Sequence, residues 1–203
     1  PCFDKSYLSD SSNLLADTIV VGVGIELNTE LARLCGLKTN KGVLVNSYLQ
    51  TSDPNIYAVG DIAQFPSSQG GHSTIQENWN NAQTQAQTVA NNLMATQEPI
   101  KTHHQLSEHQ AMAWFWSDQY EYQLQVMGEP SIATNYVTRV VSENSHIDFY
   151  FKNQEWVACS AWGRAAELTK DLKVIRTLFE RRVALSPEKA LDGNIKWKAL
   201  LKN

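Results

Sequence analysis

Apolar and polar positions along the chain follow two patterns, which change over near its middle. Early on, short β-branched runs alternate with stretches of helical spacing. Residues 17–23 (Asp-Thr-Ile-Val-Val-Gly-Val) predict a buried strand ending at Gly24. Asn28 is a good helix N-cap, Leu31, Ala32 and Leu34 supply an apolar face, and Gly36 is the stop. Residues 43–45 predict a short strand and Asp53-Pro54-Asn55 a turn, before an apolar strand over 56–59 that delivers Gly60 and Asp61. A Ser/Gly-rich loop over 66–71 then leads into a long polar and Ala-rich helix over about 75–94. This alternation belongs to an α/β domain.

The second pattern is strand-rich. Residues 119–127, 134–141, 146–152 and 155–161 read as consecutive strands, with hairpin turns at 142–145 and 152–154. Helical spacing follows over 167–181 and 187–191, and more weakly over 195–201. A meander followed by helices is an α+β arrangement. The connection is expected over 95–105, where Pro99 sits among polar residues.

Composition changes this picture little. The 203 residues are 42% hydrophobic and 19% charged, enough for one or two domains with a proper core. The net charge of −4 gives no pull toward nucleic acid or an anionic membrane. The longest apolar run, 18–25, is too short and glycine-broken to span a bilayer, and the polar start has no signal-peptide pattern. Cys2, Cys35 and Cys159 are odd in number and far apart, which points to a reducing, cytoplasmic setting and away from a structural metal. The His103-His104 pair reads as a solvated loop, with a metal site as the alternative. The chain does not begin with Met and enters a strand-like segment with no earlier element to pair with it, so it is expected to be a fragment.

Three constellations carry candidate chemistry. The first is Thr51-Ser-Asp-Pro-Asn-Ile-Tyr-Ala-Val-Gly60-Asp61, which ends a strand in Gly-Asp where ligands sit in open α/β sheets. Gly60 permits close backbone approach, and Asp61 either accepts hydrogen bonds from sugar-like hydroxyls or caps a following helix. The second is Ile75-Gln-Glu77-Asn78-Trp79-Asn-Asn81-Ala82 at a helix start, whose free N–H groups favour an electron-rich partner. There Glu77 could instead complement the dipole and Trp79 pack in a core. The third is Trp114-Phe115-Trp116-Ser117-Asp118-Gln119, where clustered aromatics are either core or a cofactor wall.

Taken in this order, the three stretches resemble the FAD-dependent pyridine nucleotide-disulfide oxidoreductases, and among them the ferredoxin reductases that serve oxygenases. Residues 16–37 are similar to that family's return from the nucleotide domain, and residues 123–128 and 165–191 continue the likeness. Ile75 and Gln76 depart from the Arg and hydrophobic residue common there. The resemblance implies an α/β remnant of a Rossmann-like FAD-binding domain followed by an α+β C-terminal reductase domain. It makes residues 1–24 the tail of an NAD(P)-binding domain, 25–98 the second half of the FAD-binding domain, and 99–203 the C-terminal domain. It places Gly60 and Asp61 at the ribityl chain of FAD, Glu77, Asn78 and Trp79 at the flavin's pyrimidine edge, and Trp116 beside the ring, with no acid–base catalyst. NAD(P)H is the implied donor, and the partner a ferredoxin or similar iron–sulfur carrier; a homodimer is allowed, and a rubredoxin partner or a non-catalytic interaction module are the alternatives. No GxGxxG fingerprint occurs, so neither phosphate-binding loop of such an enzyme is in this chain, and the fragment alone is expected to be inactive.

Overall fold

The computed structural model describes residues 5–7, 9–10, 12–67, 71–96, 106–110 and 112–202. The His103-His104 pair, Pro99 and most of the expected connection therefore lie outside the described residues. None of the described helices is long and apolar enough to cross a membrane.

The chain opens with a small antiparallel hairpin, β1 (Lys5–Tyr7) and β2 (Asn13–Leu15). The strand expected over 17–23 does not form: these residues join no ladder, and Val20 and Val23 are 93% and 90% exposed. A β-branched run makes a strand only where neighbours pair with it and cover it, and no described strand lies alongside. The helix that follows is a single turn, α1 (Glu30–Leu34), capped at Thr29 rather than Asn28. Asn28 instead accepts a side-chain bond from the Glu30 amide at 3.3 Å, and Leu31 and Leu34 stay exposed.

Next comes a compact three-stranded sheet. β3 (Val43–Leu44) runs parallel to β4 (Ala63–Pro66), which pairs antiparallel with β5 (Ser73–Thr74). The expected strand over 56–59 shrinks to one bridge, Gln50 to Tyr57, because the extended segment is interrupted by a tight turn over Gly60–Ile62 and resumes as β4. Val45, Leu49, Ala63 and Phe65 form the sheet's core with Val89 of α2 (Trp79–Thr96). That helix begins four residues later than its spacing predicts. Residues 73–74 are taken by β5, and Asn78 caps it by accepting the Asn81 amide at 2.9 Å.

The second half is a five-stranded antiparallel sheet in the order β6 (Trp114–Gln119), β7 (Tyr122–Gly128), β10 (Glu155–Arg164), β9 (Ser145–Lys152), β8 (Asn135–Ser142). The strand expected over 119–127 forms as β7, starting three residues later, and an unexpected strand over the Trp114-Phe115-Trp116 run precedes it, because the chain reverses at Tyr120 (φ 57°). Strand β9 alternates cleanly, with Ile147, Phe149 and Phe151 inward. The β9–β10 turn holds Asn153 (φ 49°) and Gln154 (φ 71°) in the left-handed region, as a two-residue hairpin requires. Against this face lies α3 (Ala165–Glu180), which buries Leu168, Leu172, Ile175, Leu178 and Phe179 at helical spacing. The α4 helix (Pro187–Leu191) falls where its spacing predicts, and a 3-10 turn over Trp197–Lys202 replaces the expected final helix. Trp197 closes the core by stacking on Phe149 with centroids 5.5 Å apart, while Arg139 covers its other side.

Gly128 ends β7 with φ 74°, and a side chain there would drive into the Val157 carbonyl and the Phe179 ring. Gly128→Ala should therefore destabilise the second half by about 3 kcal/mol, from strain and overpacking together. Urea unfolding followed by tryptophan fluorescence measures this; a loss below about 1 kcal/mol would show that the fit around Gly128 is slack.

Candidate functional site

The buried side of α2 is lined with amides. Asn81, Gln85 and Asn92 are almost fully buried and lie along one stripe at helical spacing, with Val89 among them. Each is tied to a loop. Asn81 Nδ2 donates to the Gln76 carbonyl at 2.9 Å, and Gln85 Oε1 accepts from the Gly60 amide at 2.7 Å. Asn92 exchanges two bonds with the Ser107 backbone at 2.8 and 2.9 Å. These contacts fix where the three loops sit, although Asn81 Oδ1 and Gln85 Nε2 stay buried without a partner among the described residues.

The Gly60 tie holds the tight turn over Gly60–Ile62. Gly60 is buried with φ 77°, a conformation that other residues adopt only under strain, and it opens a tight turn outside the sheet, so its buried amide is satisfied by the Gln85 acceptor. Asp61 follows at the surface, and its carboxylate has no hydrogen bond or ion pair among the described residues. The next element is a strand, so Asp61 caps no helix. The turn packs on α2, whose entry carries the second constellation.

At that entry Glu77 is exposed, Asn78 caps the helix, and Trp79 is 69% exposed. Trp79 therefore packs in no core among the described residues. Contacts between α2 and β6 bring the strand that bears Trp116 beside the helix. Trp116 is 42% exposed and leans on Trp114 with centroids 4.6 Å apart, while the Arg176 guanidinium covers Trp114 at 3.9 Å. The fold thus gathers the Gly60-Asp61 turn, the Glu77-Asn78-Trp79 entry and the Trp116 strand around one helix.

Sequence reading missed the residues that do the gathering. Asn81, Gln85 and Asn92 look like ordinary surface polars in a polar helix; only their shared stripe with Val89 could have hinted at burial. It also missed His109, which is 7% exposed, donates its backbone amide to the Ser47 carbonyl at 2.7 Å and meets the Phe65 ring edge-on. Burial depresses its pKa from 6.5 to about 4.

Comparison with known proteins now adds the family. The pattern described as pyridine nucleotide-disulphide oxidoreductase matches residues 4–86, and that described as reductase C-terminal matches residues 114–201. The chain belongs to the pyridine nucleotide-disulphide oxidoreductase family. It is 33% identical over 193 residues to the ferredoxin–NAD(+) reductase component of the p-cumate 2,3-dioxygenase system of Pseudomonas putida, an alignment covering 93% of this chain and 43% of that protein. Rhodocoxin reductase of Rhodococcus erythropolis is 33% identical over 178 residues, with coverage of 87% and 39%. The crystal structure of the ferredoxin reductase for the CYP199A2 system of Rhodopseudomonas palustris superposes with a TM-score of 0.82 at 33% identity, covering 97% of this chain and 46% of that one. The chain therefore spans less than half the length of these relatives.

The depressed His109 pKa sets a direction for stability in this chain. Between about pH 4 and pH 6.5 the unfolded state binds more protons at this residue than the folded state, so its contribution is present above pH 6.5 and is lost as the pH falls toward 4. His109→Phe should flatten the fall in unfolding free energy across that window by about 2 kcal/mol relative to the unsubstituted chain. Superimposable pH profiles for the two proteins would refute the assignment.

Proposed function

We propose that this chain is the C-terminal part of an oxidoreductase that passes electrons from NAD(P)H through FAD to a ferredoxin-type iron–sulfur carrier. The observation that carries the reading is the pairing of an unengaged carboxylate, Asp61, with a Gly60 turn locked by Gln85, on the helix whose open end presents Trp79. A free carboxylate on a fixed turn is what a polyhydroxylated chain needs for recognition, and a capped but exposed helix entry suits an electron-rich ring edge. These features fit one side of FAD. The phosphate-binding glycine loops for FAD and for the nicotinamide cofactor are not in the sequence.

In this reading, residues 1–24 close an NAD(P)-binding domain, 25–98 complete an FAD-binding domain and 99–203 form the C-terminal domain. Asp61 accepts from ribityl hydroxyls, and the Gly60 backbone leaves room for the chain to pass. Glu77, Asn78 and Trp79 border the pyrimidine edge, where the helix end favours negative charge, and Trp116 flanks the ring. When bound, FAD supplies the redox chemistry, taking a hydride's two electrons and releasing them singly, so the protein's own task is to bind, orient and tune it. The exposed apolar run through Val20 and Val23 is, in the same reading, the face against which the rest of such a protein packs. A ferredoxin as acceptor rests on the family likeness; a rubredoxin or another small carrier is the alternative that an acceptor assay separates.

Asp61→Ala, made in a protein extended to the relatives' length, should weaken FAD affinity about 10- to 100-fold, the cost of losing hydrogen bonds to a charged acceptor. Flavin absorbance after dialysis reads this directly, and unchanged retention would remove Asp61 from the site. The 203-residue chain alone should show no NAD(P)H oxidation; steady turnover by the purified chain would overturn the reading of its missing loops.

A further inference from the structure

A second concavity, of about 740 Å³, opens where the two halves meet, and neither Asp61, Trp79 nor Trp116 lines it. Its size suits a small molecule. Its lining is largely polar, and within it Phe65, Trp156, Phe179 and Leu185, all nine-tenths buried or more, contribute an apolar patch drawn from both halves.

Charge is distributed unevenly around this cleft. Of its three acidic side chains, Glu129 is held by Ser67 and by His72 at 3.1 Å, and Glu180 is held by Arg176 at 2.9 Å. By contrast, Lys152 and Arg182 have no ion-pair or hydrogen-bond partner for their cationic groups among the described residues, and only Glu155 is left to balance them. Arg182 stands just past the end of α3 in the left-handed region (φ 53°), where glycine is the usual and least strained choice. On the segment that leads into the second half, His109 also lines the cleft, and its Nε2 is buried without a partner among the described residues.

We infer that this cleft binds a small aromatic monocarboxylate, its ring against Trp156, Phe179 and Phe65 and its carboxylate toward Lys152 and Arg182. Such a ligand bridges the halves, because α2 forms part of the wall through Asn80 and Thr84. This inference is independent of the flavin reading, and its test needs no flavin.

The probe is benzoate, titrated into the 203-residue chain by calorimetry, with tryptophan fluorescence as a second readout. Benzoate should bind saturably, with benzamide and benzylamine at least about tenfold weaker. The double variant Lys152→Gln/Arg182→Gln, at solvent-facing positions, should lower benzoate affinity to the benzamide level and leave benzamide unchanged. Thr84→Trp, checked for folding by circular dichroism, should block all three ligands. If Thr84→Trp fails to fold, the charge variant alone decides. No saturable benzoate binding up to about 10 mM, equal affinity for all three ligands, or benzoate affinity untouched by the charge variant would each overturn the inference.

Discussion

Everything in the first half depends on the amide stripe of α2. Gly60 sits in a tight turn outside the sheet, so its buried N–H is satisfied only by an acceptor brought to it from elsewhere. Gln85 is that acceptor. One turn away, Asn81 holds the approach to the helix, and at the far end Asn92 holds the chain as it enters the second half. Apolar residues in these places would bury the helix equally well but would leave three backbone segments unpaired. The polarity of α2 is thus a structural requirement of the loops around it, and it sets Asp61 and Trp79 on a common support.

The second half obeys a different rule. Its sheet and α3 interlock through alternating large apolar side chains, Phe149, Phe151 and Met127 against Leu168, Leu172 and Ile175, with Trp156 and Phe179 meeting edge-on at 4.8 Å. Few polar bonds enter that core. The two halves then meet through polar contacts, with Glu129 between Ser67 and His72 and with Ser47 joined to Glu108 and to the His109 amide. Junctions of this kind fix orientation with little apolar burial, which is how an open cleft persists between them.

The run from Ile19 to Ile25 shows how far a strand depends on its neighbours. By composition it is as good a strand as β9, yet it lies open because no described strand is placed to pair with it. Relatives more than twice as long share the fold of this chain across nearly all of its length. The leucines of α1 are uncovered for the same reason: among the described residues no element packs over this five-residue helix.

Sequence alone determined the elements whose signal is local. The alternation of β9, the stripe of α3, the hairpin turn at Asn153 and Gln154, and the Pro187 start of α4 all follow from period and turn chemistry, which need nothing beyond a few neighbouring residues. The order of the Gly60-Asp61, Glu77-Trp79 and Trp116 motifs was equally legible, and it pointed to the family. Tertiary structure decided what depends on partners distant in the chain: that residues 17–23 stay unpaired, that the strand expected before Gly60 forms after it, and that Trp114 begins a strand. Burial of Gln85 and His109 belongs to the same class. A glutamine or histidine is compatible with surface and core alike, and only the packing of the halves makes one a clamp and the other a buried neutral ring.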